Sequence, residues 1–331
     1  MQNTINHLLS NRPVTRLLKS IAFTMLAAAL AAAQAPAGAK RPAAVPADFV
    51  VTPFGFFHPS CVNHLAKGDV LLQDEGAIQR TNGNHETIQE CGYPHFEADG
   101  TKVVGDMQTT GDGKTQPPYI GHSWIEYAST HESANYGQIY AEWDVPPTPA
   151  SNDGQIVYLF NGLEQHSGDV TIIQPVLGWN ADYANSWGIA SWNCCKKGTV
   201  QESTPAPVNP GDHLEGYVFN NCTAGTTKCG SWDIVIVDEE NGNFSQLLNT
   251  SNFSQTFNWA FGGVLEVYYI TKCSDYPAPD YVGGIGFFNQ SVLNDQFDSI
   301  TPAWTVSNVS GGLTPQCNYG GSLPKQVVLK Y

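Results

Sequence analysis

Two polar residues set in apolar runs are the best placed in this chain to do chemistry. Gln174 closes the run Val170-Thr171-Ile172-Ile173-Gln174 and precedes Pro175. Glu266 lies in Gly263-Val264-Leu265-Glu266-Val267-Tyr268. Side chains alternate faces along a strand, so Val170, Ile172 and Gln174 share one face, and Val264, Glu266 and Tyr268 share another. The Glu266 run is apolar on both faces, which predicts a central, buried strand. Burial disfavours the ionised carboxylate and raises its pKa. A raised carboxyl pKa suits a general acid or base. Pro175 removes a backbone donor, so the Gln174 strand is expected to end there or to lie on a sheet edge. Spacing alone does not make the pair catalytic, because a strand Gln is more often a structural amide.

Other catalytic signatures are incomplete. His85-Glu86 lacks the second histidine of a zinc-binding helix, and Gly121-His122-Ser123-Trp124-Ile125 lacks the closing glycine of a nucleophile elbow. The turn Asp238-Glu239-Glu240-Asn241-Gly242 reads equally as a hairpin turn or a calcium loop. No C-x-x-C and no glycine-rich phosphate loop occurs. No metal and no cofactor is therefore expected.

The elements that must carry Gln174 and Glu266 read as strands. From Tyr119 onward short apolar or alternating runs recur between Asn, Gly, Pro and Asp: Gln138 to Trp143, Gln155 to Phe160, Val170 to Gln174, Trp187 to Trp192, His213 to Phe219, Ser231 to Val237, Gly263 to Thr271 and Gln326 to Tyr331. Such spacing predicts an all-β antiparallel sandwich over residues 119–331. Residues 40–118 form a smaller mixed segment, a cap or propeptide-like region, ending in the turn-rich stretch Gln108 to Pro118.

The N-terminus predicts export. Arg12, Arg16 and Lys19 precede the apolar run Ile21 to Ala33, and Ala37-Gly38-Ala39 offers a small-residue cleavage pattern. The run is shorter than the ~20 residues of a membrane span. Residues 1–39 are thus read as a signal peptide, the mature chain as secreted, and no membrane partner is expected after cleavage. Removing them leaves twelve basic and thirty acidic side chains, a net charge of −18. That charge argues against nucleic acid as a partner. All eight cysteines lie beyond the signal, and an even count in an exported chain favours disulfides. Cys222–Cys229 and Cys61–Cys91 are the expected local bridges. Adjacent Cys194 and Cys195 are each expected to bond elsewhere.

One succession of motifs adds to this reading. Ala141-Glu142-Trp143-Asp144-Val145-Pro146-Pro147 is followed by Asn161-Gly162, then Ile172-Ile173-Gln174 with Trp179 five residues on, then Val208-Asn209-Pro210-Gly211-Asp212, then the Glu266 run. The succession, over roughly Tyr119 to Tyr276, resembles the eqolisins, secreted glutamic peptidases of acid pH with a lectin-like β-sandwich. More distantly it is similar to the neprosin peptidases, which use two glutamates. The resemblance implies a polypeptide substrate and a monomer. It implies that Gln174 and Glu266 face each other on one concave sheet, Glu266 as general base and Gln174 as oxyanion donor. Trp179, Tyr158, Trp192 and Tyr268 would contact the substrate. The pattern departs from the family in three places: the strand before Gln174 has Tyr158 and Phe160 where the family has a Trp, Trp187 to Trp192 contains no acid, and the Glu266 run has one acid rather than two. The competing readings are a glycan-binding sandwich that stacks sugars on Trp179, Trp187, Trp192, Trp232 and Trp259, and a catalytically inactive surface protein.

Overall fold

The structure is a computed structural model that describes residues 41–72, 76–103, 124–131, 135–166, 171–195, 198–251, 255–279, 283–308, 315, 317–323 and 326–331. Residues 1–39, expected to be a signal peptide, and Gln108 to Pro118, expected to end the N-terminal segment, lie outside the described residues. Eight short strands precede the sandwich: β1 (Val50–Thr52), β2 (Gly55–Phe57), β3 (Val62–Leu65), β4 (Val70–Leu72), β5 (Ala77–Gln79), β6 (His85–Thr87), β7 (His95–Phe96) and β8 (Lys102–Val103). Those of the sandwich begin with β9 (Trp124–His131), β10 (Tyr136–Asp144), β11 (Ile156–Glu164), β12 (Ile172–Trp179), β13 (Trp187–Cys194), β14 (Val200–Ser203), β15 (Ala206–Val208) and β16 (His213–Asn220). They continue with β17 (Trp232–Asp238), β18 (Phe244–Thr250), β19 (Trp259–Tyr268), β20 (Ile285–Asn294), β21 (Ser299–Ile300), β22 (Thr305–Asn308), β23 (Gly320–Ser322) and β24 (Val327–Lys330). No helix among the described residues is long and apolar enough to cross a membrane.

The expected all-β sandwich is present. One sheet runs β18-β17-β16-β10-β20-β24-β23, and the second runs β22-β9-β19-β11-β12-β13-β14-β3. The first sheet has one wet face. β16 and β17 alternate buried and half-buried residues along their length, as a strand with one solvated side must. The second sheet is buried on both faces: every residue of β11, β12, β13 and β19 is buried. This explains why those strands read as unbroken apolar runs. One face packs Val157, Leu159, Leu177, Trp179, Trp187 and Leu265 against Trp143 and Phe287 of the first sheet. The other lies beneath the N-terminal segment, whose Phe54, Phe56, Phe57 and Phe96 join Tyr158, Phe160, Val176, Trp192 and Tyr268 in one cluster.

The covering segment is tied to that sheet by backbone. β3 pairs in parallel with β14, Val62 opposite Val200 through Leu65 opposite Ser203, so a strand of the cover forms the end of the sheet. Its Cys61–Cys91 bridge closes within the segment. Cys222–Cys229 forms as expected, and Cys273–Cys317 is a further bridge.

Two expectations are overturned. Cys194 and Cys195 bond each other rather than reaching elsewhere. The peptide between them is cis. The Gln174 strand neither ends at Pro175 nor lies on an edge: β12 continues to Trp179 between β11 and β13. Pairing with β11 holds at Phe160–Val176 and at Leu163–Ile173 but is interrupted between them, where Asn161 and Gly162 face Pro175 and Gln174. The missing proline donor is thus absorbed as a local gap in the ladder beside Gln174.

Candidate active site

The register of the second sheet lays its covered face out in rows. Strands pair residue opposite residue, and side chains opposite each other share a face. The first row reads His131, Trp259, Glu164, Ile172, Cys194 and Val200. The next reads Ser129, Phe261, Gly162, Gln174, Trp192, Glu202 and His64. Phe160, Val176 and Ala190 follow. The last row holds Trp124, Glu266, Tyr158, Gly178 and Gly188.

Gln174 and Glu266 are on the same face, but the register does not bring them together. Glu266 is level with Tyr158 and Gly178, and Gln174 stands four residues further down β12. At strand spacings this is about 13 Å along the strands and about 10 Å across them, about 16 Å in all. That separation is between Cα positions, and no hydrogen bond joins the two side chains. The cause is the register, which sets Glu266 opposite Tyr158 and Tyr158 opposite Gly178. Nearer Gln174, two residues of β11, from Phe160 to Gly162, span three of β19, from Val264 to Phe261, and Phe261 stands in the row of Gln174.

Glu266 is instead a fixed carboxylate. It is fully buried. Trp124 Nε1 donates to its Oε2 at 3.1 Å, and Tyr268 OH donates to its Oε1 at 2.7 Å. Beside it, burial raises the Tyr158 hydroxyl well above its ordinary pKa, and the charges of Asp182, Glu266 and Glu202 add to the effect.

The acid that neighbours Gln174 is Glu164, which the sequence reading passed over by ending its strand at Phe160. Glu164 lies opposite Ile172, one diagonal from Gln174, and diagonal neighbours have Cα atoms roughly 7–8 Å apart, within reach of long side chains. Both residues are fully buried. Among the described residues, neither carboxyl oxygen of Glu164 and neither amide atom of Gln174 has a hydrogen-bond partner. Burial holds the Glu164 carboxyl well above its ordinary pKa. Gly162, opposite Gln174, leaves its side chain room: a Cβ there would sit 3.2 Å from Gln174 Cβ and 2.9 Å from the Ile173 carbonyl oxygen.

A second acidic group flanks Gln174 on the other side of Trp192. Glu202 lies 2.8 Å from His64 Nδ1, a polar contact between the sheet and the cover. Burial raises the Glu202 carboxyl to about 7, with the Asp182 carboxyl working against the shift. Asp182 is raised by burial and by the Glu202 charge. Burial lowers the His64 imidazole.

Of the aromatics expected at the substrate, Tyr158, Trp192 and Tyr268 are on the covered face, but Trp179 is not. It packs between the sheets, edge-on to Trp187 at 5.4 Å. Its odd separation from Gln174 turns it to the opposite face. Trp179, Trp187, Trp192, Trp232 and Trp259 are all at most 5% exposed, so none of these five offers an open stacking surface for a sugar.

No protein-family model matches the chain, and no curated protein matches it. Among solved structures, the chain is similar to scytalido-glutamic peptidase bound to a peptide-based transition-state analog, at 13% identity and a TM-score of 0.45, over 63% of this chain and 98% of that one. It is similar to SCP-B, a member of the eqolisin family of peptidases in complex with the tripeptide Ala-Ile-His, at 14% identity and a TM-score of 0.43, over 63% and 98% of the two chains. The CBM2 module of the evolved Dit of Lactobacillus casei BL23 phage J-1 follows at 9% identity and a TM-score of 0.26, over 44% and 70%. These are fold-level likenesses and assign no residue of this chain a role.

Proposed function

We propose that the chain is the covered form of a secreted acid endopeptidase whose working pair is Gln174 with Glu164. The observation that carries this reading is the pair itself: an amide and a carboxyl on adjacent strands, buried on the covered face, with no partner for any of their side-chain polar atoms. Leaving such groups unpaired costs stability, and the fold retains them side by side. In this reading residues 1–39 direct export, and residues 40–118 cover the face until an acidic medium frees it. Under the cover Glu164 is held protonated by burial. Uncovered, it regains water, its pKa falls, and it can act as a base.

The chemistry follows from the two side chains. Glu164 takes a proton from a water that Gln174 orients through its amide oxygen. The water oxygen bonds to the scissile carbonyl carbon, and Gln174 Nε2–H donates to the developing oxyanion. Glu164 then passes the proton to the leaving nitrogen as the C–N bond breaks. Glu266, held by Trp124 and Tyr268, shapes the face and transfers no proton.

The test is proteolysis of a denatured protein by the full chain at pH ~3–4, a range set by carboxylate ionisation, in the presence of pepstatin. Activity abolished by Glu164→Gln and by Gln174→Ala, and retained by Glu266→Gln, is the expected result. Activity that survives Glu164→Gln would overturn the assignment.

A further inference from the structure

We infer that the hollow over Trp192, filled here by Phe54, is a substrate pocket for a large aromatic or apolar side chain next to the scissile bond. The inference rests on the peptidase reading and names the substrate class of that site.

Phe54 sits at the tip of the β1–β2 hairpin, where turn residues are ordinarily small, polar and exposed. Here the tip is a phenyl ring only 7% exposed. The turn is built to hold it inward. Thr52 Oγ1 accepts from the Phe54 amide at 3.2 Å and donates to the Gly55 carbonyl at 3.0 Å. Gly55 has φ +106°, and a Cβ there would lie 2.3 Å from the Phe96 carbonyl oxygen, so only glycine closes this turn. The Phe54 ring meets Trp192 edge-on, at 6.1 Å and 71°. Trp192 is directly opposite Gln174 across β12 and β13.

The cover can leave this place without breaking a covalent bond between described residues. None of the four disulfides joins the cover to the sandwich. A bare Trp192 face would then be an apolar hollow beside a polar pair. Edge-to-face aromatic contacts add to the burial of area, so an aromatic side chain from another peptide fits the place Phe54 vacates. Phe56, two residues on, meets Tyr268 at 5.6 Å in the same manner, which extends the aromatic floor toward Glu266.

The experiment has two arms. In the first, full-length Phe54→Ala is melted with and without N-acetyl-phenylalaninamide, using N-acetyl-alaninamide as the control. A rise in melting temperature with the phenylalanine compound alone, absent in the unsubstituted protein, supports the pocket; no rise overturns it. This arm does not require activity. In the second, the unsubstituted full chain digests a peptide mixture at pH ~3–4, and the products are sequenced. At least about tenfold enrichment of Phe, Tyr, Trp or Leu at one position beside the cut is expected, and Trp192→Ala should flatten it. Cleavage without such enrichment sinks the pocket and leaves the peptidase reading intact. A thermal rise with no cleavage at all supports the pocket and sinks the peptidase. Should Phe54→Ala not fold, the enrichment and its loss in Trp192→Ala decide alone.

Discussion

Glu164 and Glu266 lie on one face of one sheet, and each is fully buried. Around Glu266 two neutral donors converge, Trp124 Nε1 and Tyr268 OH, one on each oxygen. Around Glu164 the strands offer Trp259 and Ile172, which donate nothing from their side chains to it, and the unpaired Gln174 one diagonal away. The difference teaches that burial by itself does not mark a reacting carboxyl. The neighbours decide whether burial fixes an acid or leaves it poised.

The largest effect that could break this contrast is catalytic. Glu164→Gln should lower acid proteolysis at least about 100-fold, the ordinary worth of a general base, whereas Glu266→Gln should change it only a few-fold. Equal losses in initial-rate assays would erase the distinction. Next in size is a difference in the sign of stability. Glu266→Leu strands two buried donors and should cost about 2–4 kcal/mol in urea unfolding. Glu164→Leu removes an unpaired polar group and should be neutral or stabilising by about 1–3 kcal/mol. Matching signs would show that Glu164 has support comparable to that of Glu266.

The pH dependence of stability sharpens the contrast further. Burial raises Glu126 to about 8, against the opposing pull of the Lys330 and Gly320 backbone donors, and raises Glu202 to about 7. A carboxyl raised in the folded state holds its proton longer there than in the unfolded chain. Its contribution is fully present below the unfolded pKa near 4.5 and is lost as pH rises through 7 and 8. Asp69 and Asp275 are lowered by their donors, outweighing the effect of their burial, and act oppositely, losing their contribution as pH falls below the ordinary carboxyl value of 3.8. The melting temperature should therefore be higher near pH 5 than near pH 8, and Glu126→Gln should flatten the slope above neutrality. A melting temperature that rises steadily to pH 8 would contradict it. The smallest effect is expected at His64, whose side chain is 56% exposed. His64→Ala should cost less than about 1 kcal/mol, because solvent screens its pair with Glu202. A larger loss at pH 5 would make this pair a principal fastening of the cover.

The fold was legible because both faces of the second sheet are buried, so its strands appear as unbroken apolar runs between turns. The face of Trp179 was legible too, since an odd offset from Gln174 already turns it away. Glu164 was within reach of the same rule: Tyr158, Phe160, Gly162 and Glu164 alternate onto one face, but Asn161-Gly162 reads locally as a turn. The displacement of Glu266 was not legible. It depends on the register that sets Glu266 opposite Tyr158, and register is a relation between strands rather than a property of either one's sequence. Pro175 misled for a similar reason. Its missing donor is absorbed by the interrupted pairing at Asn161-Gly162, which only the assembled sheet shows.

The parallel pairing of β3 with β14 gives departure of the cover a second consequence. The chain that leaves is also the last rung of the sheet, so opening the face bares a row of unpaired amides and carbonyls along β14. Such a rim is a template for any extended chain. The opened protein would be adhesive along one side, self-associating as its concentration rises, and the cover would serve as chaperone to that rim as well as shield to the face.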